Sequence, residues 1–215
     1  MRRMSTKLIL LGFALALCSG PTPQAQESQP KKPMPLIIAF GSDSPERGTT
    51  RVGMWNTKKN AGAGQFAIDY GRPVWRKAYE DAARFDALTK GKIYRLGSNF
   101  WTVLDTDTPL TMAGKQIPVG AWYLGLHRSD DGATWSLAFI DPAKARAAHM
   151  DASEINKAPV EFKIPMTAEQ ASEIKEKLTI DLLFKDMNPK DVTLKISWGK
   201  LQLTAPIQVP VPAGS

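Results

Sequence analysis

From about Gln65 onward, large apolar residues recur at every second position, in short runs separated by Gly, Pro, Asn and Asp. Phe66, Ile68 and Tyr70 alternate with Ala67 and Asp69. Trp122, Leu124 and Leu126 alternate in the same way, and after a Ser129-Asp130-Asp131-Gly132 turn so do Trp135, Leu137 and Phe139. A period of two puts one side of an extended strand in a core and leaves the other in water. Residues 100–106 are rich in β-branched and aromatic side chains, and residues 110–112 and 116–118 flank a hairpin turn at Ala113-Gly114-Lys115. Val160, Phe162 and Ile164 make another strand, closed by Pro165. Leu178, Ile180, Leu182 and Phe184 then lead through a turn at Met187-Asn188-Pro189 to Val192, Leu194, Ile196 and Trp198. Gly199-Lys200 reads as a turn into a last strand at Leu201 and Leu203, and the prolines at 206, 210 and 212 predict a tail that frays or caps an edge.

Helical spacing is rarer. Residues 75–88 contain no Gly or Pro and set Trp75, Tyr79, Ala82 and Phe85 on one face, which predicts a short helix. Thr167 and Gln170 have the spacing of a capping box and predict a second helix over residues 168–177. Residues 141–158, polar and rich in Ala, read as a loop or short helix. The fold class expected is mainly β: an antiparallel β-sandwich or barrel-like domain with one or two short helices.

The pattern also divides the chain. Residues 1–25 open with Arg2, Arg3 and Lys7, run through ten apolar residues at 8–17, and end in Pro23-Gln24-Ala25. That is the pattern of a signal peptide, and it is too short for a membrane-spanning helix of about 20 residues. The rival reading is lipid attachment at Cys18 after Leu15-Ala16-Leu17, in the manner of a bacterial lipoprotein. Either way the protein is expected to be exported, periplasmic or envelope-associated. Residues 26–60, rich in Gln, Pro, Lys, Gly and Thr, read as a tether or irregular arm, and residues 61–210 as the β-rich domain. No transmembrane segment is expected after residue 25.

Composition changes two parts of this picture. Cys18 is the one cysteine in 215 residues, so cleavage after Ala25 leaves a chain without disulfides, stabilised by its core alone. The formal charge of +7 shrinks once the leader is set aside, to 25 Lys and Arg against 21 Asp and Glu, a balance of +4. The basic residues are scattered, which argues against a nucleic-acid partner.

Three motifs stand in order: Ile68-Asp69-Tyr70-Gly71-Arg72-Pro73, then Tyr94-Arg95-Leu96-Gly97-Ser98-Asn99 with Thr102, then the ten residues from Gly114-Lys115-Gln116-Ile117-Pro118 to Trp122-Tyr123. In order and spacing they resemble the DUF2911 family of uncharacterised bacterial secreted proteins, over about residues 65–210. That family's pattern runs tyrosine-x-arginine-proline, then tryptophan-arginine-x-glycine-alanine-asparagine with a threonine three further on, then glycine-lysine-x-leucine-proline-alanine-glycine-x-tyrosine. Here Tyr94 stands for the tryptophan, Ser98 for the alanine, and residues 75–88 for a basic segment. The resemblance implies export and a β-rich fold, and brings no activity with it.

The polar members of these motifs, Tyr70, Arg72, Arg95, Ser98, Asn99 and Thr102, are the candidate ligand-binding residues. An arginine fork suits carboxylate or phosphate, and Asn and Ser add directional hydrogen bonds, so a converging set would take a small anionic or carbohydrate-like ligand. The competing reading is structural: Arg-Pro ends a strand, Arg95 pairs with Asp69 or Glu80, and Asn99 satisfies a turn. His127 and His149 lack second ligands at metal spacing, and no metal or cofactor is expected. Asp105 and Asp107 have the look of a carboxylate pair, read more simply as solvated. No G-x-S-x-G elbow accompanies Ser98, and Gly62-Ala63-Gly64 is too short to cradle phosphate. Trp101, Trp122, Trp135 and Trp198 belong to strand patterns and read as core, leaving Trp55 and Trp75 as stacking candidates. The reading that follows is a non-catalytic binding or structural domain. Its alternatives are a hydrolase or isomerase using Asp69, Asp105 or Asp107, and a protein-interaction module. Oligomeric state is not encoded in any of these patterns.

Overall fold

A computed structural model of the chain describes residues 46–210 apart from 187 and 189. The leader, Cys18, the first part of the arm and most of the 187–189 turn lie outside the described residues. The elements are β1 (Arg47–Asn56), β2 (Ala61–Gly71), α1 (Ala82–Thr89), β3 (Ile93–Arg95), β4 (Thr102–Thr106), β5 (Leu110–Met112), β6 (Lys115–Ile117), β7 (Gly120–Arg128), β8 (Trp135–Ile140), α2 (Pro142–Ala147), β9 (Val160–Phe184) and β10 (Asp191–Gln208). Short 3-10 segments at Lys77–Tyr79 and Ala152–Lys157 complete them.

All pairings between these strands are antiparallel, and the order is β1-β2-β4-β7-β8-β9-β10-β5-β6, with β3 beside β7. The sheet does not close into a barrel. It folds on itself at β9. Residues of β9 up to Met166 pair with β8, and from Thr167 onward they pair with β10, so one strand belongs to two layers. Val52, Phe66, Ile68, Leu104, Leu124 and Leu137 of the first layer share one buried cluster with Leu178, Ile180, Leu194, Ile196 and Leu203 of the second. This is the mainly β, sandwich-like arrangement that the period-two pattern predicts.

Several local expectations are corrected. β1 lies inside the stretch read as an arm: Val52 is buried and pairs with Phe66, although glycines and threonines dilute the alternation on either side. Residues 168–177 are strand, not helix. Opposite them Gly199 sits in a bulge with φ +61°, because Gly199 pairs with Lys175 while Leu201 pairs with Gln170. The extra residues of β9 bow out there, so the glycine read as a turn is a kink in one continuous β10. Pro165 does not end its strand either. It pairs with Ser136 on the one side where β9 has a neighbour, and a proline is tolerated at such an edge. At the other end, residues 207–208 pair with β5 and Val209 is buried, so the tail is ordered that far.

β8 is buried on both faces, where alternation alone predicts one. Ala138 and Ile140, which alternate with the core residues Leu137 and Phe139, are also buried, and Ile140 packs in a second cluster with Ala145 of α2 and Ile155 of the second 3-10 segment. Asp141 caps α2 by accepting from the Ala143 N–H at 2.7 Å, ahead of Pro142 at the first turn. The segment predicted as a helix over 75–88 is a 3-10 turn followed by α1, whose N-cap Asp81 accepts from the Arg84 N–H at 2.9 Å. It closes one end of the two layers with aromatic rings: Trp75 meets Trp198 at 5.0 Å and Tyr79 at 5.4 Å, and Phe85 meets Trp135 at 6.3 Å. Arg128 lies over both Phe85 and Trp135 and pairs with Asp86 at 2.6 Å.

Candidate functional site

The candidate residues of the first two motifs do come together, and those with side-chain hydrogen bonds find their partners within the protein, while the buried Ser98 hydroxyl has none among the described residues. In the second layer the side of β9 facing away from β10 has no neighbouring strand among the described residues, and open strand edges invite unwanted pairing. Here the chain leaving β2 fills that place. The Ile180 N–H donates to the Tyr70 hydroxyl at 3.0 Å, and that hydroxyl donates to the Ile180 carbonyl at 3.4 Å. Arg72 Nε donates to the Leu178 carbonyl at 3.2 Å, the Leu178 N–H to the Pro73 carbonyl at 3.0 Å, and the Trp75 N–H to the Glu176 carbonyl at 2.6 Å. The Leu182 N–H completes the series on Thr50 Oγ1 at 3.3 Å. The tyrosine-x-arginine-proline motif thus seals the edge of one layer against the other.

The rest of the set packs behind this seam. A Cβ on Gly71 would lie 2.6 Å from Ser98 Oγ and 2.8 Å from Ser98 N, and one on Gly97 would lie 2.9 Å from the Gly71 carbonyl oxygen. Two backbones therefore cross with no room for side chains, which is why both positions are glycine. Thr102 is fully buried and its hydroxyl donates to the Leu96 carbonyl. Arg95 Nη1 donates to the Asn99 carbonyl at 3.0 Å, and Asn99 takes φ +61°. Asp69 pairs with Arg47 rather than with Arg95. Arg72 Nη1 meets Glu46 at 2.5 Å and Lys177 meets the same carboxylate at 2.7 Å. Those two cations hold the Glu46 carboxyl below its ordinary range, Lys177 through its hydrogen bond first, while burial raises the Tyr70 phenol.

The opposite end of the β1–β2 hairpin has a different character. An open groove of about 570 Å3 is lined by Gly53, Met54, Trp55, Gly62, Gly64, Gln65 and Asp107. That volume falls within the range of small-molecule sites, about 300–1,000 Å3. Asn56 Oδ1 accepts from the Lys59 N–H at 2.9 Å and Asn60 takes φ +50°, which closes the turn. Gly53 pairs with Gln65, and the Gln65 carbonyl accepts from the Asp107 N–H, just beyond β4, at 3.1 Å. The Gln65 N–H also donates to Asp107 Oδ1 at 2.6 Å, which fixes that carboxylate at the rim. The next row on the same face is Arg51, Ala67, Asp105 and Ala121.

Trp55 is the odd one among the six tryptophans. Trp75, Trp101, Trp122, Trp135 and Trp198 all contact other aromatic rings, Trp101 stacking on Tyr123 at 4.5 Å. Trp55 has no ring partner or hydrogen bond among the described residues and is 61% exposed. Trp75, the other stacking candidate, is pressed over Gly199, where a Cβ would lie 2.5 Å from its ring. The sequence reading singled out Trp55 and Asp107, set Gly62-Ala63-Gly64 aside as too short to cradle phosphate, and passed over Gly53 and Gln65. Their signal was present: three glycines, at 53, 62 and 64, interrupt strands that otherwise alternate.

Among the described residues no group of three His, Cys, Asp or Glu is placed to hold a metal ion, and no helix is long and apolar enough to cross a membrane. Fold and groove together define a folded-over antiparallel β-domain with one sealed seam and one open, aromatic-rimmed groove. The chain matches the family described as "Protein of unknown function (DUF2911)" over residues 54–207, and it belongs to that family. No curated protein and no solved structure matches it.

Proposed function

We propose that the protein is an exported, envelope-associated binding domain that acts without catalysis and takes its ligand in the groove beside Trp55. The observation that carries this reading is the contrast in side-chain use. Arg72, Tyr70 and Thr102 are committed to backbone partners in the seam, whereas Trp55 is exposed beside a carboxylate and an amide with no ring of the described residues against it. Small-molecule sites pair an apolar surface with a few oriented polar groups, and the groove has that composition. Export is supported by the basic start and the apolar run at residues 8–17.

A thermal-shift screen of the full chain against sugars, nucleotides, amino acids and organic acids tests the binding reading. A ligand at 100 times its dissociation constant adds about 2.7 kcal/mol of stability. The expected result is a hit that Trp55→Ala abolishes and that Arg95→Ala retains. A hit lost only in Arg95→Ala would return the site to the seam. The mass of the ligand after incubation separates binding from the hydrolase reading, for which Asp105 and Asp107 lie beside the groove: binding leaves the mass unchanged. For export, mass spectrometry of the mature chain expects a start at Gln26, whereas a lipid-modified Cys18 start would favour anchoring. An uncleaved chain in the cytoplasm would contradict both.

A further inference from the structure

We infer that the Trp55 groove is a platform for an uncharged pyranose, an inference that rests on the groove being the binding surface. Three features carry it. The first is the glycine floor. Gly53 and Gly62 are strand residues with ordinary φ, and a Cβ at either would meet nothing within 4 Å. Neither internal packing nor φ requires glycine there, and glycine weakens a strand. Gly64 differs, since its φ of +126° and its contact with Met54 account for it. Strand glycines mark either a bulge or a place where something approaches the backbone closely. Gly62 stands beside the register shift at Met54 and Trp55, whereas Gly53 pairs with Gln65 in regular register and has no bulge to account for it.

The second is the ring above that floor. Trp55 pairs across the hairpin with Gly62. A ring can cover a cross-strand glycine to protect it, but a Cβ on Gly62 would meet no atom within 4 Å, so the Trp55 ring does not lie over it. At 61% exposure Trp55 presents to solvent an indole whose N–H has no acceptor among the described residues, at the rim of an open, small-residue surface. A pyranose with mostly equatorial hydroxyls has the complementary shape: one flat face of C–H bonds to lie on the ring and hydroxyls projecting from its edge.

The third is the polar rim. Asp107 Oδ1 is held by the Gln65 N–H, which leaves Oδ2 to accept from a sugar hydroxyl, and the Gln65 side chain supplies both a donor and an acceptor. The lining contains one carboxylate and no Lys or Arg. An anionic ligand seated against this lining would therefore meet the Asp107 carboxylate and no Lys or Arg within the lining itself. A quaternary ammonium needs rings on several sides, and this groove offers one. The next row, with Arg51 and Asp105 exposed on either side of Ala67, extends the same face, so a short chain of sugars has further hydroxyl partners beyond the ring.

The test is an NMR titration of the full chain, following the Trp55 indole N–H and the Gly53 and Gly62 amides. The probes are cellotetraose, tetra-N-acetylchitotetraose, tetragalacturonate and choline. The expected result is a saturable shift of these signals with at least one neutral tetrasaccharide, with tetragalacturonate binding at least about tenfold more weakly. Trp55→Ala should weaken binding by about tenfold or more. Gly53→Thr and Gly62→Thr should abolish it while keeping the dispersed amide spectrum of the wild type. Shifts at the groove with tetragalacturonate or choline but neither neutral sugar would overturn the pyranose and leave the groove as a binding surface. No shift at the groove with any probe would overturn both. Undiminished sugar binding in Gly53→Thr and Gly62→Thr would show that the floor is not the contact surface and overturn the inference.

Discussion

The two ends of the β1–β2 hairpin use the same kinds of residue for opposite purposes. At one end Gly71 and Gly97 bring backbones together, Tyr70 and Arg72 are committed to the edge of β9, and Glu46 pairs with two cations. At the other end, among the described residues, Gly53 and Gly62 have empty space above them, Trp55 has no ring beside it, and Asp107 is fixed through one oxygen. The difference teaches that a glycine, an aromatic or a charged residue announces a site only when its interactions inside the protein are incomplete. Motif residues with every partner internal serve the architecture.

The comparison predicts unequal costs, greatest at the seam. Gly71→Ala forces a Cβ into the backbone and side chain of Ser98, and overpacking of this kind costs about 3 kcal/mol. A large fall in the urea midpoint is expected; an unchanged midpoint would mean the crossing is not tight. Tyr70→Phe removes a buried hydroxyl and leaves the Ile180 N–H and carbonyl without it, costing about 2 kcal/mol. Because burial raises the Tyr70 phenol above its ordinary 10.0, its contribution is intact below pH 10.0 and lost as pH rises through the higher folded value. The alkaline fall in stability should therefore be shallower in Tyr70→Phe than in wild type.

Glu46 gives a smaller effect of opposite sign. Its carboxyl is held below its ordinary 4.5 by Lys177 and Arg72, so its contribution is present above pH 4.5 and lost as pH falls below it. Glu46→Gln should lower stability slightly at neutral pH and not in acid, so the acid limb becomes slightly shallower, and the effect is small because the group is exposed. Smallest of all, Trp55→Ala should change stability by no more than about 0.5 kcal/mol, as for a surface position outside the packed core. A larger loss would mean that Trp55 supports the hairpin.

Much of the β architecture was readable because period-two burial is written directly into residues such as Phe66, Ile68, Leu124, Leu137 and Leu194. What was not readable depended on contacts far apart in sequence. The capping-box spacing of Thr167 and Gln170 reads as a helix start, but pairing with β10 overrides it, with Gly199 absorbing the difference in length. Ile140 looks like a solvent-side position until α2 covers it. The motif residues were found as a group, yet their use in sealing β9 rests on partners about 106–110 positions away, which no local pattern reveals. For the groove, Trp55 was visible as a tryptophan outside a strand pattern. The register that sets Gly62 opposite it was not.

The central claim is that seam and groove are separate, one for stability and one for binding. It is tested most directly by measuring both properties on the same two full-length variants: the urea midpoint, and the dissociation constant for the neutral tetrasaccharide that shifts the groove signals. The account predicts a crossed result. Tyr70→Phe should lower the midpoint and keep the dissociation constant, and Trp55→Ala should keep the midpoint and raise the dissociation constant about tenfold or more. A Tyr70→Phe protein that is as stable as wild type but no longer binds, beside a Trp55→Ala protein that binds normally, would contradict it.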